Sequence, residues 1–167
     1  AHPELVSLLQ SPEVVRVERL GMRTDSGALA SPQNAAGVLA SGVRFFEIVL
    51  LGSSALAHEG LTRRPGLFEP AKSGARILRR VAEEQGHEIF ITGLAPICRH
   101  NEDDLLELVS TFVELEVDAI SIESSRALNQ ELIDAAYEIA IPACTLLFGD
   151  SCNHIESATL YHFEAGE

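Results

Sequence analysis

The chain of 167 residues has the size of one domain, and its 46% hydrophobic content is enough for a sizeable core. Twenty-five acidic residues against 12 basic ones leave a formal charge of −13. That balance repels phosphate backbones and anionic lipid, which argues against nucleic acid and membrane surfaces as partners. The apolar runs, such as Phe45 to Leu51 with Glu47 inside it, fall far short of the ~20 residues a bilayer crossing needs.

Three cysteines are too few and too scattered for a disulfide scaffold, so free thiols in a reducing cytoplasm are expected. The opening Ala1-His2-Pro3, without methionine, points to a trimmed or processed chain or a fragment.

In chain order, Val14 to Leu20 is a β-branched run that Gly21 is expected to close. Ser31-Pro32 then reads as an N-cap with proline in the first turn, opening a helix from Gln33 to Ser41. Phe45 to Leu51 is the second strand, ended by Gly52-Ser53-Ser54, and a long polar connection turns at Arg63-Arg64-Pro65-Gly66. Between Gly74 and Gln85, Ala75, Ile77, Leu78, Val81 and Ala82 share one helical face, and Gly86 ends the run before the strand Glu88 to Thr92.

Asn101 is placed to cap a helix whose Leu105, Leu108, Val109 and Phe112 form an apolar stripe. A strand at Ala119 to Ile122, a helix from Gln130 to Ala140 and a strand at Ala143 to Phe148 follow. Five strands alternating with helices predict an α/β domain with a parallel sheet of βα units. The sheet is expected to be either open and doubly wound or part of a (β/α) barrel, since five strands are too few to close eight.

Ligands of parallel α/β folds collect at the carboxyl ends of strands, so the residues there are the site candidates. Gly52-Ser53-Ser54 could offer amides to a bound anion or simply cap the next helix, and His58 follows as a ligand or acid–base group. Cys98-Arg99-His100 precedes the Asn101 helix, where a helix N-terminus would favour a thiolate. Glu123-Ser124-Ser125-Arg126 ends the next strand with a carboxylate, hydroxyls and a guanidinium. Gly149-Asp150-Ser151-Cys152-Asn153-His154 repeats the Cys-Xaa-His element, with Asp150 and His154 as acid–base candidates. Two thiols and two imidazoles form a zinc donor set. Cys144, inside an apolar run, is expected in the core, and His2, His87 and His162 stand without chemical company.

Taken in order, four stretches resemble the catalytic C-terminal barrel of cobalamin-independent methionine synthases. They are Ser41 to Leu61, Cys98 with Asn101, Asp104, Leu105 and Leu106, Asp118 to Arg126, and Leu147 to Asp150 with Ile155-Glu156-Ser157. The resemblance implies a zinc centre in which Cys98 and Glu123 match the family's cysteine and glutamate ligands. His100, Cys152 and His154 would complete it, because Pro96 stands where the family has a histidine. The family's acidic substrate turn is replaced by Gly52-Ser53-Ser54. The implied activity is zinc-dependent methyl transfer to a thiol substrate.

From Gly74 to Asp150 the pattern also resembles a cobalamin-binding, flavodoxin-like domain, although Asp-x-His-x-x-Gly is absent and Glu69 and Ala71 occupy the expected positions. That resemblance implies a non-enzymatic module for cobalamin or another tetrapyrrole, with His58 as the axial ligand. A subunit acting with a partner chain, or a homo-oligomer, is a further expectation for either.

Overall fold

The computed structural model describes residues 20–124 and 127–150. The described residues form five strands with helices between them, two helices in succession after the second strand: β1 (Leu20–Thr24), α1 (Pro32–Ala40), β2 (Val43–Val49), α2 (Ala55–Thr62), α3 (Phe68–Glu84), β3 (Phe90–Ile97), α4 (Leu105–Glu114), β4 (Ala119–Ser124), α5 (Gln130–Ala140) and β5 (Thr145–Asp150). Short 3-10 turns at Gly27–Ala30 and Glu102–Asp104 lie between them. No helix of the described residues is long and apolar enough to cross a membrane.

Every strand pairs in parallel with its neighbour in sequence, giving the order β1-β2-β3-β4-β5. A doubly wound sheet reverses its order at a switch point. The described strands do not, so of the two expected arrangements their order is that of a barrel segment. Right-handed crossovers in one direction lay successive helices along one face of the sheet. That face is dry. Phe46, Ile48, Ile91, Ala95, Ile120 and Ile122 are at most 1% exposed beneath the helices. Gly93 completes the face because a Cβ there would overlap the ring of Phe112 on α4.

The opposite face is mixed. In register across it lie Gly21, Phe45 and Phe90, then Arg23, Glu47, Thr92 and Ala119, then Val49, Leu94 and Ser121, then Pro96 and Glu123. Arg23 donates to the Glu47 carboxylate at 2.7 Å and reaches Glu123 of β4 at 3.6 Å. In a flat sheet β1 and β4 would stand about 14 Å apart, three spacings of ~4.8 Å. Their side chains meet because this face is concave.

The described elements correct several expected boundaries. Of the first expected strand only Leu20 is described, residues 14–19 lying outside; Gly21 sits within β1 and does not end it. The connection after β2 contains α2, and α3 begins at Phe68, six residues before the expected start. Its extra turns pass Ser26, whose buried Oγ donates to the Ala71 carbonyl at 2.6 Å. Gly74 is required there, since a Cβ would overlap the Ser26 carbonyl oxygen. Strand β3 runs on to Ile97, and α5 spans the expected residues.

Candidate functional site at the carboxyl ends of the strands

Two strand ends are bound to one another by a single buried side chain. Asn101, 3% exposed, was expected to cap a helix; instead its amide group donates to the carbonyls of Leu51 (3.0 Å) and Pro96 (2.9 Å). Its Oδ1 accepts from the Cys98 backbone N–H at 2.7 Å. All three contacts bind backbone that strand pairing leaves unsatisfied where β2 and β3 end, so Asn101 locks the two exits together. Helix α4 starts only at Leu105, and Cys98 is therefore not at its N-terminus.

The Gly52-Ser53-Ser54 turn does bind an anion, but the anion is the protein's own. The Ser53 backbone N–H and hydroxyl both donate to the Asp104 carboxylate, at 2.6 and 2.5 Å. Ser54 caps α2 by accepting from the Ala57 N–H at 3.3 Å. Gly52 is demanded by close approach, because a Cβ would lie 2.5 Å from that of Ala57. The turn is thus a helix cap tied to the start of the next βα unit.

His58 is not a solvated loop residue. It lies in α2, 1% exposed, with Nδ1 accepting the Leu51 N–H at 3.1 Å and its ring 5.7 Å from that of Phe68. A backbone N–H only donates, so Nδ1 is unprotonated and the neutral ring carries its proton on Nε2. Nε2 is buried without a partner among the described residues. Burial pushes the imidazole below its ordinary 6.5 despite the carboxylates of Glu59 and Asp25. With one nitrogen bonded and the other enclosed, His58 is not placed as an axial ligand. Asp25, at the end of β1, is held by Arg64 at 2.7 Å and by the Gly27 N–H. Glu59 accepts from the Phe68 N–H at 3.2 Å, and amide contacts from Gly66, Phe68 and Leu67 hold its carboxyl below the usual range.

The metal candidates separate into two groups. Glu123 is on the concave face in register with Pro96, and Cys98 directly follows Ile97, the last residue of the adjacent strand, where the pairing register has ended. Cys98 is half-buried. His100 instead lies on the exposed turn, its Nε2 accepting from Arg99 Nε at 3.1 Å. Among the described residues no three of His, Cys, Asp and Glu come together as a metal site. Cys152, His154, Ser125, Arg126 and the 155–157 stretch lie outside the described residues, as do His2 and His162; Asp150 is the last residue of β5. Cys144 packs at the margin of the core, where burial pushes its thiol up.

A cleft of about 500 Å³ opens on the concave face, lined by Gly21, Arg23, Phe45, Glu47, Phe90 and Thr92. It sits toward the amino ends of the strands and is separate from the carboxyl edge. The hydrogen bond from Arg23 to Glu47, with the nearby charge of Glu123, holds the guanidinium more firmly protonated than usual.

Sequence reasoning missed α2, the burial of His58 and the Asp25–Arg64 pair; the nearest available signal was Ser54, a capping residue three positions before Ala57. Comparison with known proteins finds no family model and no curated protein that matches the chain, so the site rests on its own chemistry.

Proposed function

We propose that the chain is part of a (β/α) barrel-type enzyme that binds a small-molecule substrate at the carboxyl edge of β2 to β4, in the class of methyl transfer to a thiol. One observation supports the reading: Cys98 and Glu123, the two positions matching the metal ligands of the methionine synthase family, lie at the carboxyl ends of neighbouring strands, Glu123 within β4 and Cys98 directly after β3. Thiolate and carboxylate from adjacent strand ends suit zinc, but two donors are not a zinc site. Further donors would have to come from outside the described residues, where Cys152 and His154 lie. Zinc, when bound, would supply the Lewis acidity that keeps a substrate thiol deprotonated at neutral pH.

The protein's own part is positioning. Asn101 fixes the Cys98 backbone against β2, and the Ser53–Asp104 contact fixes the turn beside it. Five strands leave two edges, and the strands that close an eight-stranded barrel would come from further chain or a partner subunit. The alternative, an open-sheet tetrapyrrole module, has less support, because the order of the described strands lacks a switch point and His58 has one nitrogen bonded and the other buried.

Metal analysis tests the proposal. One zinc per chain, lost in Cys98→Ser and in Glu123→Gln while the circular dichroism spectrum is unchanged, is the expected result. Wild-type protein that retains no zinc after reconstitution would sink the thiol-transfer reading.

A further inference from the structure

We propose that His58 is an acid-operated latch: its unprotonated Nδ1 holds the Leu51 amide and fastens α2 to the end of β2, and protonation releases it. The geometry leaves a cation no place. A proton on Nδ1 would point one donor at another across the 3.1 Å that now separates the ring from the Leu51 nitrogen. The second N–H, on Nε2, is buried without a partner among the described residues, so neither side of an imidazolium would be satisfied.

The surrounding charges do not rescue the cation in place. Glu59, the next residue of α2, is held by the amides of the α2–α3 connection. Asp25 at the end of β1 is paired with Arg64 from that connection, and Arg64 itself opposes a second cation. On α3, the Phe68 ring packs against the imidazole, with Lys72 over that ring and paired to Glu69.

The latch connects to the candidate site through one residue. Leu51 gives its N–H to His58 and its carbonyl to Asn101, and Asn101 holds the Cys98 N–H. Releasing Leu51 loosens the backbone that positions Cys98. The direction with pH follows from linkage. A folded imidazole titrating below 6.5 stays neutral while the unfolded chain takes up a proton. Its stabilising contribution is complete above pH 6.5 and declines as pH falls toward the folded value. The latch stands whether or not the carboxyl edge is catalytic.

Solution NMR of the wild-type chain between pH 7.5 and 5 tests it, with His58→Gln as the non-titrating control that keeps an acceptor for Leu51. At pH 7.5 the ring nitrogen shifts should show Nδ1 bare and Nε2 protonated. On acidification, the Leu51 and Cys98 amides should move with one shared midpoint, and Leu51 exchange protection should fall by up to about tenfold per pH unit below the unfolded value. His58→Gln should abolish that pH dependence. An Nδ1–H tautomer at pH 7.5, or a Leu51 amide that stays protected while the ring titrates, overturns the latch. Both readouts come from wild-type protein, so the outcome is decided even if the variant does not fold.

Discussion

The two faces of the sheet are built to different ends. Under the helices, Phe46, Ile48, Ile91, Ile120 and Ile122 share one buried cluster with Phe112, Leu108 and Leu105. On the concave face the same strands present Arg23, Glu47, Thr92, Ser121 and Glu123, with Leu94 and Ala119 buried among them and Phe45 and Phe90 left 42% and 43% exposed. Dispersion and hydrophobic burial secure the first face throughout, whereas the ion pairs of the second add little to the few apolar residues buried there. The two sides of one set of strands are thereby held by different forces, with the carboxyl edge between them.

The sharpest way to break that division is Phe112→Ala. The ring lies directly over Gly93, and its removal leaves a cavity in the covered face, at an expected cost of about 3–5 kcal/mol in chemical denaturation. Next comes the edge itself. Asn101→Ala leaves the Cys98 N–H and two carbonyls without their partner, and should cost about 2–3 kcal/mol while raising exchange at Cys98. The concave face should respond least. Arg23→Met removes pairs whose side chains are 55%, 40% and 31% exposed, and should change stability by less than about 1 kcal/mol. A loss from Arg23→Met as large as that from Phe112→Ala would mean that the concave face is held as firmly as the covered one, and the contrast would fail.

How much of this was legible in the sequence depended on whether a local signal carried it. Helix α5 was read to its ends, and what fixes its start is local: the Asn129 side chain accepts from the Glu131 N–H. The parallel sheet followed from the alternation of apolar runs with helical stripes. Helix α2 was hidden, since its buried residue is His58 and hydrophobic periodicity cannot register a polar core position. The adjacent Phe45 and Phe46 likewise conceal which of them faces inward; only the pairing partners decide it. At the site, Asn101 was recognised as important but given the wrong partners, because its decisive contact is with Leu51, 50 residues away. Which strand ends lie side by side is a property of the sheet order, and composition does not encode it.

The strand order has one more consequence, for colloidal behaviour. Among the described strands, β1 and β5 each have a neighbour on one side only, and a row of unpaired backbone groups is a template for joining another chain. Long-range repulsion between copies, set by the formal charge of −13, opposes that encounter. Such protection reaches only as far as the ionic atmosphere allows, roughly 10 Å at 0.1 M salt and about 3 Å at 1 M. The same net charge that argues against a polyanionic partner opposes such edge-to-edge joining, and concentrated salt removes that barrier.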